Sequence, residues 1–189
     1  MRLVTWHDGR GLYPKLAEGL ARSADAVGLE TDCIRWVEQE TVGAAQKLRL
    51  KTVRRVSAEH SDDDLLVVDA DCVIHSFPKM LDGWKSLAFP YWADKWFSGV
   101  WYLPRGMHRG LVEGMEETWE KMPLAVERDV LNEVLGSPRL RPEAVLMLPV
   151  EYAWVEPLHR KTNPAAQPVI EHFMVNMGGR LTLRRLGLA

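Results

Sequence analysis

The sequence is poor in the features that mark specialised classes of protein. It has only two cysteines in 189 residues, Cys33 and Cys72. Two are too few for a disulfide framework and lack the spacing of a zinc site, so a reducing compartment suits the chain best. No apolar run approaches the roughly 20 residues that span a bilayer. The N-terminus lacks a signal-peptide pattern, and a cytoplasmic location is the expectation. Net charge is −2, so no global field draws the protein to nucleic acid or an anionic membrane; only local patches could. No Gly-rich fingerprint joins the first apolar run to the segment after it, which leaves P-loop and dinucleotide-binding readings without support. Repeats, low-complexity tracts and linkers are also missing. With 47% hydrophobic and 26% charged residues, the chain reads as one ordinary domain over residues 1–189.

Tryptophan is abundant instead, with 8 in the chain. Trp84, Trp92, Trp96 and Trp101 cluster, and they read either as core or as a stacking wall for a sugar or base.

The pattern opens as strand, helix, strand. Residues 1–6 (MRLVTW) read as a strand, and 7–11 as a turn-rich loop. Leu12, Leu16, Leu20 and Ala24 recur at helical spacing over 12–27, with Gly28 as the stop. Residues 31–37 (TDCIRWV) alternate as a second strand. That unit builds a parallel sheet, so the fold class is α/β. A helix over 42–59 follows, with Ala45, Leu48, Thr52 and Val56 able to face the core. Its Lys47, Lys51, Arg54 and Arg55 are either a solvated face or a phosphate contact.

The stretch from Asp64 to Ile74 (DLLVVDADCVI) carries the chemistry. Its apolar, half β-branched run reads as a buried strand that delivers Asp69 and Asp71 at its carboxyl end. Side chains alternate, so the two carboxylates can point the same way about 7 Å apart. Such a pair repels itself and is costly to desolvate unless a cation or strong donors intervene. It reads as a divalent-cation site or as a polar strand end. Downstream, 78–84 read as a short helix and 86–91 as a strand that Pro90 confines to an edge or to its own end. Residues 96–103 read as one strand, in which Ser98 and Gly99 could line a ligand pocket. Helices are expected over 105–121 and within 123–135, the second opened by Glu127 and Asp129, where carboxylates suit the helix dipole. A strand over 145–149, a loop over 156–168 and a strand over 169–174 containing His172 complete the series. The tail carries Arg180, Arg184 and Arg185.

This order of parts resembles a compact glycosyltransferase of the GT-A type: strand-helix-strand, basic helix, apolar strand ending in Asp69-Ala70-Asp71, a Ser98-Gly99-Val100 strand, a helix opened by Glu127-Arg128-Asp129, and a late strand with one histidine. The resemblance covers residues 1 to about 174. It implies a central, mostly parallel Rossmann-like sheet flanked by helices, and a nucleotide-sugar donor, with UDP-sugar as the expected form. It implies Asp71 as the principal ligand of Mn²⁺ or Mg²⁺, Asp69 as ribose contact or second ligand, and His172 as the completing ligand. Asp69, Ala70 and Asp71 would contact the donor. Thr5, Trp6 and His7 would grip base and ribose, Lys47 or Lys51 the diphosphate, and Ser98 and Gly99 the sugar. Asp129, with Glu127 as second choice, would be the catalytic or sugar-holding carboxylate.

The chain resembles small glycosyltransferases of phages and bacteria, some of which modify viral DNA, so the leading acceptor expectation is a 5-hydroxymethylated base in viral DNA, which the two basic patches would suit, with glycan, lipid and protein acceptors as alternatives. Two other readings stand beside it. Asp69-Ala70-Asp71-Cys72-Val73 also matches the nucleophile motif of haloacid-dehalogenase-like phosphatases, although no later acidic pair follows. A non-catalytic nucleotide-sugar or nucleic-acid binding module is the third.

Overall fold

The protein is described from a computed structural model that covers residues 1–36, 47–92, 94–137, 145–155 and 158–173. Strand β1 (Arg2–His7) leads through helix α1 (Tyr13–Asp25) to β2 (Glu30–Arg35). Pro14 opens α1, and Leu16, Ala17, Leu20 and Ala24 form its buried stripe. Gly28, at φ +82°, supplies the left-handed turn that lets the chain double back into β2. Helix α2 (Leu48–Glu59) precedes β3 (Leu65–Val68), β4 (Cys72–Ile74) and a 3₁₀ turn at Lys79–Leu81. Strands β5 (Leu87–Trp92), β6 (Lys95–Trp96) and β7 (Val100–Leu103) follow, then α3 (His108–Lys121) and α4 (Glu127–Leu135). The described part ends with β8 (Val145–Leu148), a 3₁₀ turn at Val150–Ala153, α5 (Leu158–Thr162) and β9 (Ile170–His172).

The main sheet has the order β2-β1-β3-β7-β5-β6, with β8 against the other edge of β5. β1, β2, β3, β5 and β8 run one way, and β7 and β6 run against them, so the sheet is mostly parallel. β4 and β9 form a small antiparallel pair. All four residues of β3 are buried, and they alternate between two cores: Leu65 and Val67 join the α2–α3–α4 side, Leu66 and Val68 the α1 side. Each such side chain contributes about 1.5–3 kcal/mol by leaving water. With both faces occupied, β3 is fixed in register, and its carboxyl end is therefore a fixed point.

Several local expectations shift. The 64–74 run is two strands, because the chain turns away from the main sheet at Asp69–Asp71 and pairs again with β9. The 96–103 run is also two strands, broken by a turn at Ser98–Gly99. β5 is an interior strand rather than an edge; Pro90 falls where its pairing passes from β7 to β6, and its carbonyl accepts from Phe97 N–H at 2.8 Å. The 78–84 helix shrinks to the 3₁₀ turn, and the expected loop at 156–168 contains α5. Val37, Ala45, residues 42–46, Pro138, Met174 and the tail arginines lie outside the described residues.

Candidate active site

The carboxyl end of β3 gathers the acidic pair and the histidine. Asp69 N–H donates to Gly99 O at 3.0 Å, which extends the β3–β7 contact by one step. Ala70 packs on Leu16 and Ala17 of α1, and its small side chain lets the chain turn there. Asp71 then enters beside β9, because β4 and β9 pair Cys72 with His172, and Phe173 N–H donates to Asp71 O at 2.9 Å. His172 Nε2 lies 3.0 Å from Asp71 Oδ1 and 3.7 Å from Asp69 Oδ2. Asp71 and His172 are only 7% and 6% exposed. Gly99 makes room for the imidazole: a Cβ there would stand 3.0 Å from both Cε1 and Nδ1 of His172 and 2.5 Å from Phe97 Cε1. Phe97 backs the imidazole at a ring distance of 5.3 Å.

Arg49 is the residue that the sequence reading missed. It is 4% exposed and stands on the inward stripe of α2 with Thr52, Val53 and Val56. One terminal nitrogen donates to Asp69 Oδ1; the other donates to Ser98 O and, at 2.7 Å, to Glu127 Oε2. Its guanidinium sits between the rings of Trp6 and Trp101, 4.6 and 4.8 Å from their centroids. The available signal was position: 49, 52, 53 and 56 follow the i, i+3, i+4, i+7 rule, so a charge at 49 falls on a buried face.

No family model matches the sequence, and no curated protein matches it. Solved structures do. A glycosyltransferase involved in glycosylation of the major capsid of PBCV-1 superposes with a TM-score of 0.69 at 13% identity, over 90% of this chain and 92% of that one. The chain has the GT-A glycosyltransferase fold. The galactosyltransferase LgtC, solved with donor and acceptor sugar analogs, matches at TM-score 0.58 and 12% identity over 92% of this chain and 87% of its own. The apo form of GlyE from Streptococcus pneumoniae TIGR4 matches at 0.63 and 13% identity over 92% of this chain, which spans 54% of that structure. The GT-A fold removes the phosphatase alternative, since the acidic motif follows the third strand of this sheet.

In the GT-A frame, charge decides what the site can hold. Asp69 and Glu127 meet one arginine, and Asp71 meets His172. Burial holds Asp69 above the usual carboxylate range against the pull of Arg49 and His172. Burial likewise pushes Glu127 up to about 7, although Arg49 opposes it. Burial alone would lower His172, but the hydrogen bond to Asp71 and the two aspartate charges raise it. Glu127 Oε1 and His172 Nδ1 are buried without hydrogen-bond partners among the described residues.

A divalent cation fits among these groups. Asp71, Cys72 and His172 place ligand atoms within 4.8 Å of one another, and Asp69 Oδ2 is an alternative third ligand. Burial and the neighbouring aspartates drive the Cys72 thiol well up, and a soft sulfur is the poorer match for a hard cation than the carboxylate of Asp69. The donor set is therefore two carboxylates and an imidazole, which suits Mn²⁺ or Mg²⁺.

The remaining sequence candidates scatter. Trp6 lies against Arg49, and Ser98 binds it through its carbonyl. Thr5 is fully buried with Oγ1 unpartnered among the described residues, and His7 Nδ1 accepts from Gly9 N–H at 3.1 Å. Lys47 Nζ lies 5.6 Å from the Trp119 ring centroid rather than at the acidic cluster, and Lys51 is exposed. Asp129 faces Lys95 at 3.7 Å, away from Arg49, whereas Glu127 joins the cluster.

Proposed function

We propose that the protein is a metal-dependent glycosyltransferase that moves a sugar from a nucleotide-sugar, a UDP-sugar, to an acceptor hydroxyl. The observation that carries this reading is the meeting of Asp69, Asp71 and His172 at the carboxyl end of β3 in a GT-A fold, where open α/β sheets take their ligands. Mn²⁺ or Mg²⁺ held by Asp71, His172 and Asp69 would neutralise charge on the departing diphosphate. Arg49 places a permanent positive charge beside Asp69 and Glu127 and fixes Asp69. Glu127 has one oxygen on Arg49 and one unpartnered, with its pKa at about 7, which suits a general base for the acceptor hydroxyl. Trp6, near the end of β1 and stacked on Arg49, is the β1 residue we assign to the base and ribose; Thr5 is fully buried and is left out.

Nothing on the described part of the chain favours a DNA acceptor over the others. On α2, Arg49 is buried, Arg54 pairs with Glu116 and Arg55 with Glu59 at 3.1 Å, and Lys51 is exposed, so carboxylates are interleaved with its basic residues. A saccharide acceptor, as in the LgtC complex, is the reading to test first.

The test is UDP release from a panel of UDP-sugars with and without Mn²⁺. Release that needs the metal and disappears with chelator supports the proposal. Release that ignores the metal removes the role given to Asp71 and His172, and no release from any donor removes the transferase reading.

A further inference from the structure

The four clustered tryptophans part company in the structure. Trp101 is fully buried core, and Trp96 is partly buried against the same core. Trp84 precedes β5 and so stands at its amino end, away from the acidic pair. Trp92 ends β5 at the carboxyl end, is 47% exposed, and has no role in the core. A large aromatic side chain left this open on the ligand-binding edge of the sheet needs an account.

Its surroundings supply one. Trp92 shares the face of Ala88, which belongs to the same core as Ile170 of β9. His159 of α5 stands 6.1 Å from Trp92, at 83° to it, so the two rings form a corner. His159 in turn packs on Trp154 at 5.7 Å, and Trp154 O accepts from His172 N–H at 2.8 Å. The corner is thus tied through Trp154 to the strand that carries the candidate metal ligand. His159 Nδ1 accepts from Val155 N–H at 2.9 Å, and burial lowers its pKa, so the ring is neutral with its proton on Nε2. An apolar ring face beside an N–H donor is the chemistry of a pyranose site, in which the ring takes the sugar's C–H face and the donor a hydroxyl.

We propose that Trp92 and His159 form the side wall of an acceptor subsite that binds a saccharide ring. This rests on the sugar-transfer reading above. A nucleic acid would also stack on tryptophan, but it would require cations along its backbone. Two of the nearby ones are engaged, since Arg160 covers Trp154 at 4.7 Å and donates to Ala166 O and Lys95 faces Asp129, which leaves Lys161 of α5 exposed rather than a row of cations.

The experiment compares the full chain with its Trp92→Ala and Trp92→Phe variants, using lactose, maltose and cellobiose as acceptors and water as the control acceptor. Trp92→Ala should raise the saccharide KM by about tenfold or more, Trp92→Phe should restore most of it, and donor hydrolysis and UDP affinity should stay unchanged. An unchanged saccharide KM in Trp92→Ala overturns the wall. A parallel loss of donor hydrolysis overturns it too, because it shows that Trp92 acts on the donor or the fold. If the wild type turns over no donor, the transferase reading has failed separately. Saturation-transfer NMR with the same three sugars then judges the wall alone: signals that disappear in Trp92→Ala support it, and signals equal in both proteins overturn it. Protection of Trp92 fluorescence by an oligonucleotide but by none of the sugars also overturns it.

Discussion

Two arginines stand at opposite ends of the same sheet, each gripped by carboxylates, and they behave in opposite ways. Arg2, at the amino ends of the parallel strands, meets Glu30 at 2.6 Å, Asp63 at 2.9 Å and Asp32 at 3.5 Å. There the bond from Arg2 outweighs burial and holds Asp63 below its ordinary value. Arg49, at the carboxyl ends, meets Asp69 and Glu127, and there burial wins and both carboxyls rise. The side chain of Arg2 is 16% exposed against 5% for Arg49, and Glu30 is 76% exposed against 12% for Glu127. Water stabilises the first cluster in either protonation state. The second is held against its own electrostatic preference, which a fold tolerates where the groups are needed for binding or chemistry.

If that contrast is right, the largest effect comes from the carboxyl end. Asp71→Ala should lower metal-dependent UDP release by about 10³-fold, with the circular dichroism spectrum unchanged. Retained turnover would mean that the cluster is structural and that the two ends differ only in exposure.

Arg49→Met comes next. It leaves Glu127 and the half-buried Asp69 without their cation and should cost about 3 kcal/mol in urea unfolding. The same change at Arg2 should cost about 1 kcal/mol or less, since its partners fall back on water. Equal losses would erase the comparison.

Acidity sharpens it. The folded chain keeps Glu127 protonated from its ordinary 4.5 up to about 7, whereas the unfolded chain does not. The stability this group confers is therefore complete below 4.5 and is lost as pH rises through about 7. Glu127→Gln should gain on the wild type by about 2–3 kcal/mol between about pH 5 and about pH 8, measured by urea unfolding. A flat difference would place Glu127 in solvent contact.

How legible each region was follows from geometry. The acidic pair was legible because a run of buried, β-branched residues fixes where a strand ends. His172 was legible because a histidine inside an apolar strand has to face something. The choice between Glu127 and Asp129 was not legible. Both open α4, but two residues turn a helix by about 200°, so one faces Arg49 and the other faces Lys95. Arg49 was hidden by its neighbours Lys47, Lys51, Arg54 and Arg55, which made α2 look uniformly basic; only the phase of the buried stripe separates it from them. Gly99 was noticed as a place for close approach, and the structure fills that space with the ring of His172 rather than leaving it open.

The smallest effect tests the amino end by itself. Asp63 is 37% exposed on its side chain, so its bond to Arg2 is screened by water. Asp63→Asn should therefore cost about 1 kcal/mol or less at neutral pH. The sign with pH is opposite to that of Glu127. The folded pKa of Asp63 lies below 3.8, so its contribution is complete above 3.8 and disappears as pH falls through the lower, folded value. Wild type and Asp63→Asn should differ slightly at neutral pH and converge in acid, in the same urea titrations. If the gap instead widens in acid, Asp63 is being held charged at a cost, as Asp69 is. The two arginine clusters would then be one kind of site at two depths.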